Sequence, residues 1–91
     1  MAANIDFMMG MVKDYLSGKI PRYIFELDFQ TEILARYKKM AREHREYAEL
    51  FYDLLSESGV DAGDGLSDKE FKQLIQRQYN EVKSIADDGF C

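Results

Sequence analysis

Residues 67–85 read SDKEFKQLIQRQYNEVKSI, and this stretch decides the fold. Ser67 with Glu70 three residues on forms a capping box, which satisfies orphan amides at a helix start. Phe71, Leu74, Ile75, Tyr79, Val82 and Ile85 then recur at intervals of three and four, the period of one buried helix face. Gly89 supplies the stop.

Working back toward the N-terminus, Ser58 to Leu66 holds Gly59, Gly63, Gly65 and two aspartates, and reads as a loop. The preceding helix turns Tyr47, Leu50, Phe51, Leu54 and Leu55 to the core. No Gly or Pro lies between Thr31 and Glu57, yet a single helix from Pro21 would far exceed the usual 11 or 12 residues. A break is therefore expected between Tyr37 and Glu43. Helix two opens at Pro21, with Ile20, Tyr23, Ile24, Leu27, Leu34 and Tyr37 as its main stripe and Phe29, Ile33 and Met40 beside it. Helix one runs from Asn4, its N-cap, to Ser17, with Gly18 as its stop. Its buried face is Ile5, Met8, Met9, Val12, Tyr15 and Leu16. No strand pair with a hairpin turn is visible. The expectation is an all-α, compact four-helix bundle with short loops, one domain over residues 1–91.

Composition narrows the function. A net charge of −5 argues against direct nucleic-acid binding, which needs a basic footprint, and suits a basic protein partner. The single cysteine, Cys91, has no partner in the chain, which points to a reducing compartment. With no basic-then-apolar leader and no apolar run of about 18 residues, a cytoplasmic protein is expected.

The residues of enzyme chemistry are missing. His44 is the only histidine, so neither a zinc set nor a triad can be assembled, and it reads as a helix-surface or boundary residue. The Asp61–Asp68 stretch fails as a calcium loop: its third and fifth positions are Gly63 and Gly65, and its twelfth is Lys72. No glycine loop matches a nucleotide motif. No enzyme, cofactor or metal is expected. The clustered Met8, Met9 and Met11 read as core filling in preference to an adaptable binding surface.

Charge is unevenly placed. Residues 1–45 hold eight bases and six acids, and residues 46–91 hold four bases and eleven acids. From Glu46 to Asp68 there are seven acids and no base. Four-residue spacing lets Lys39, Arg42 and Arg45 pair with Glu43, Glu46 and Glu49, and lets Asp68 pair with Lys72. Arg77 with Glu81 and Lys83 with Asp87 have the same spacing. Asp53, Glu57, Asp61 and Asp64 stay uncompensated, and Asp53 and Glu57 repel one another near a helix C-terminus, where the dipole also disfavours them. An arrangement opposed to local stability suggests a surface preformed for a basic partner.

Tyr15-Leu16-Ser17-Gly18-Lys19-Ile20 followed by a helix bearing Phe25, and Gly65-Leu66-Ser67-Asp68-Lys69-Glu70-Phe71 opening the last helix, resemble the colicin D-type immunity proteins, including those of contact-dependent growth inhibition. Pro21 departs from the serine or threonine more typical there. The resemblance implies a helical bundle that binds the toxic nuclease domain of a cognate toxin, one to one, and covers its basic active site with carboxylates. Carried over, that role falls on Asp53, Glu57, Asp61 and Asp64, with Asp68 beside them. The alternative is a helical adaptor or regulatory subunit that binds through an apolar groove, and a self-associating bundle is a third reading.

Overall fold

The computed structural model describes residues 3–89, and among them there are four helical rods and no strand. Helix α1 spans Ala3–Leu16, α2 spans Arg22–Glu43, and α4 spans Asp68–Asp87. The third rod begins as α3, Arg45–Phe51, and continues without interruption as a π-helical segment, Tyr52–Asp61. The expected four-helix bundle is the observed one. None of these helices is long and apolar enough to cross a membrane.

Aromatic rings tie the four rods together. Tyr15 of α1 stacks on Phe25 of α2 with centroids 4.5 Å apart, and Phe29, one turn further along α2, stacks on Phe51 of α3 at 5.7 Å. Phe71 of α4 meets Tyr15 and Phe25 edge-on at 5.8 and 6.3 Å. Offset and edge-on pairs of this kind add roughly 0.5–1.5 kcal/mol each beyond area burial. Met8, Met9, Ile33, Met40, Leu55, Ile75 and Val82 are among the other core residues, so two of the three clustered methionines are buried there.

Ser67 caps α4 as expected, with the Glu70 carboxylate meeting its hydroxyl in place of its N–H. The Ser67 hydroxyl accepts from the Glu70 N–H at 3.2 Å and donates to its carboxylate at 2.9 Å. Gly18 ends α1 at φ 86°, a conformation that only glycine adopts without strain.

Three expectations are corrected. First, the core face of α2 is Phe25, Phe29, Ile33 and Met40, while Tyr23, Leu27 and Leu34 of the expected stripe are 72, 65 and 81% exposed. Both stripes have helical spacing; the one richer in Phe won because its rings meet Tyr15, Phe51 and Phe71.

Second, the break falls at His44, one residue past the expected window. His44 is extended there; its N–H donates to the Met40 carbonyl at 2.9 Å and closes α2. Its Nδ1 accepts from the Tyr47 N–H at 3.2 Å and opens α3. The boundary role for His44 is what the structure gives it.

Third, residues 58–61 are helical rather than loop. At 3.6 residues per turn, the nine steps from Phe51 to Val60 would set the two on opposite sides of an α-helix. The i→i+5 bonding of a π-helix brings Phe51, Leu55, Ser56, Gly59 and Val60 to one face, and all five are buried.

Glu43, the last residue of α2, turns its side chain to another helix. Its carboxylate accepts from the Asn4 N–H at 2.8 Å, the Ile5 N–H at 2.9 Å and Asn4 Nδ2 at 2.7 Å. It thereby caps α1, the task assigned from sequence to the Asn4 side chain, and forgoes Lys39. Arg36 supports the arrangement from α2: it donates to Asn4 Oδ1 at 2.8 Å and lies 3.8 Å over the Phe7 ring. Burial pushes the Glu43 carboxyl upward, but the amide donors of Asn4 and Ile5 outweigh it and hold the group below its usual range.

A depressed carboxylate contributes stability that is present above the unfolded value, about 4.3, and lost as pH falls through the folded one. We expect Glu43→Gln to be less stable than the parent at neutral pH and to close that gap below about pH 4. Urea midpoints across this range check it; parallel curves would contradict it.

Candidate functional site

All five sequence-predicted site residues are exposed, and they follow one another along the third rod and into α4. Asp53, Glu57 and Asp61 lie on the π-helical segment, Asp64 in the turn after it, and Asp68 is the first residue of α4. The helix runs four residues beyond Glu57, so Asp61, not Glu57, stands at its C-terminal end.

The structure sorts the five into different settings. Asp61 lines a groove between the third rod and α2 with Gln30, Leu34, Tyr52 and Ser56. Asp64 and Asp68 line a second depression with Arg22, Tyr23 and Glu26. Asp53 and Glu57 stand exposed on the segment itself.

Arg22 was not singled out from the sequence, yet it fixes the acidic loop. Its guanidinium donates to the Leu66 carbonyl at 2.7 Å, the Gly63 carbonyl at 3.1 Å and the Asp68 carboxylate at 2.9 Å. A further donor reaches Glu26 at 3.0 Å, and the whole group lies 4.2 Å over the Phe71 ring. Asp68 therefore pairs with Arg22 on another helix rather than with Lys72, as its spacing suggested. The planar fork of arginine suits several fixed acceptors at once. Burial works against the guanidinium's charge, but Asp68 and Glu26 outweigh it and favour the charged form.

Glycine makes this closure possible. A Cβ on Gly63 would fall 2.7 Å from Phe71 Cδ1, so the turn can press against the α4 ring only without a side chain. The sequence signal for Gly63 was there, but it was read as turn chemistry, not as close approach.

The electrostatic outcome is one-sided. Arg22 is consumed in holding the acidic loop, and Glu26 adds another carboxylate to the same depression. Of the local ion pairs expected from spacing, Arg45–Glu49 forms, at 3.4 Å between exposed groups. Glu43 caps α1 instead, and Arg42 and Glu46 lie on opposite sides of the break at His44.

Replacing Arg22 with Ala removes several charge-assisted hydrogen bonds, worth about 1.5–3 kcal/mol each when well shielded. Because Asp68 is solvent-exposed, we expect a net loss of about 2–3 kcal/mol in urea unfolding. Arg22→Lys should recover less than half of it, since a single ammonium cannot span three separated acceptors. Full recovery by Lys would show that charge alone, and not the fork, matters.

Among the described residues no cluster of three or more His, Cys, Asp or Glu side chains could hold a metal ion. What the arrangement can do is attract and contact a positively charged surface. No family model, curated protein or solved structure matches this chain.

Proposed function

We propose that this chain is an immunity protein that binds the nuclease domain of a cognate bacterial toxin, an RNase in the first instance, and covers its basic active site. The observation that carries the reading is the line of exposed carboxylates Asp53, Glu57, Asp61 and Asp64, whose neighbouring base, Arg22, is spent on the loop's own carbonyls. Carboxylates held on a helix and on a braced turn are ordered before the partner arrives, which lowers the entropic cost of association. A nuclease presents Lys and Arg where substrate phosphates lie, and acidic side chains can occupy those positions. The resemblance at Tyr15–Ile20 and Gly65–Phe71 supports the same reading.

The test is genetic and then physical. The C-terminal domain of the product encoded immediately upstream is expressed with and without this chain. Arrested growth, rescue on co-expression, and recovery of a one-to-one complex are the expected results. A harmless neighbour, or a toxic one that this chain does not neutralise, would overturn the proposal.

A further inference from the structure

Three of the most exposed large apolar side chains share one ridge: Tyr23, Leu27 and Leu34 of α2, on the side away from Phe25, Phe29 and Ile33. Single exposed apolar residues are ordinary, but a contiguous set on one helix marks a contact surface. Tyr23, Leu27, Gln30 and Leu34 alternate in steps of four and three, the seam of two packed helices, with one polar residue at its middle.

Charge along α2 says what covers that seam. Arg22–Glu32 carries one base and three acids; Arg22 binds the acidic loop and Glu26, Glu32 pairs with Arg36, and Asp28 is exposed, which leaves this half net acidic. Ile33–Glu43 carries four bases and one acid, and the acid is already bound to α1. Lys38, Lys39 and Arg42 of this half are exposed. Parallel pairing of two such helices sets like charges together, whereas antiparallel pairing sets the acidic half of each on the basic half of the other.

We propose that the ridge is the contact between two copies of this chain, α2 against α2, antiparallel about a two-fold axis beside Gln30 and Thr31. In this register Leu27 packs near Leu34 of the second copy, and Tyr23 lies near Lys38 of the second copy, where a cation–π contact is in reach. Asp64, which lines the same depression as Tyr23, faces that lysine as well. Three anchors a side cover less than the roughly 800 Å² per partner of a standard interface, so the dimer is weak and dissociates on dilution. Asp53 and Glu57 lie on another helix, so each protomer keeps them for its own partner. The dimer is argued without the immunity reading, but Asp61 and Asp64 border the ridge, so a partner that takes them competes with the second copy.

Sedimentation of the purified full-length chain, from low micromolar to sub-millimolar concentration, tests it directly. The expected result is a mass rising from one chain toward two. Leu27→Asp with Leu34→Asp should remain monomeric throughout with an unchanged helical circular dichroism spectrum, since both positions are exposed. In a Cys91→Ser background, Gln30→Cys should be joined to its copy by a short bifunctional maleimide. Tyr23→Cys should not, because fifteen residues of helical rise separate its two copies by roughly 20 Å. A monomer at every concentration, or a dimer indifferent to the Leu substitutions, would overturn the proposal. Linking of Tyr23→Cys as readily as Gln30→Cys would overturn the antiparallel arrangement.

Discussion

Phe71→Ala is expected to lower the unfolding free energy by about 3–5 kcal/mol, the largest stability loss of any substitution considered. The ring is fully buried at the meeting point of three helices, packed by Tyr15, Phe25 and the Arg22 guanidinium. Gly63 closes over it without a side chain that could move into the space, so the cavity cannot easily collapse. Arg22 would also lose the surface on which it rests, which loosens the acidic turn. For a domain whose total stability is of order 5–15 kcal/mol, such a loss brings the chain close to unfolding at elevated temperature. Leu34→Ala is the comparison. Leu34 is 81% exposed, so its replacement should change stability by no more than about 0.5 kcal/mol. Urea unfolding of the two variants side by side is the measurement. A costly Leu34→Ala would return that residue to the core and contradict the orientation of α2.

The double charge reversal Asp53→Lys with Glu57→Lys is expected to weaken the complex with the neighbouring toxin domain by at least about 100-fold, roughly 2.7 kcal/mol. Close charge pairs across an acid–base interface have coupling energies of about 1.5–7 kcal/mol, so two reversals are sufficient for a loss of this size. Association should slow as well, and its dependence on salt should flatten, because steering acts on the encounter. The same variant should fold normally, since both side chains are exposed and neither forms an ion pair with a described residue. Two lysines four residues apart repel as the two acids did, so any change in stability is small and comes from the helix dipole, which favours cations toward the C-terminal end. Binding kinetics on the purified pair at two salt concentrations decide the matter. Unchanged affinity would remove Asp53 and Glu57 from the interface while leaving growth rescue to judge the immunity reading itself.

The helices themselves were legible because their signals are local. Ser67 and Glu70 lie three residues apart, and Phe71, Ile75 and Val82 share a face wherever the rest of the chain goes. The exposed acids were legible for a related reason: a run from Glu46 to Asp68 without a base is a property of order along the chain. Tertiary structure decided what depends on partners distant in sequence. Arg22 reaches Asp68 across 46 positions, and Glu43 reaches Asn4 across 39, so neither could be found by counting three or four along a helix. Asp68 and Glu43 each forgo the lysine four residues away, because the Arg22 fork and the fixed amides of Asn4 and Ile5 offer better-placed donors than one mobile ammonium.

The same distinction governs the core. Sequence alone determined that α2 would be a helix with one broad apolar arc, since periodicity is intrinsic to the chain. Which part of that arc faces inward was settled only by the rings waiting on α1, α3 and α4, and Phe25 and Phe29 matched them where Tyr23 and Leu27 did not. Likewise, Phe51 and Val60 are out of phase on an α-helix, and only packing against α4 makes the π-helical segment worth its poorer hydrogen bonding. Local order sets which segments coil, and complementary shape sets which sides meet.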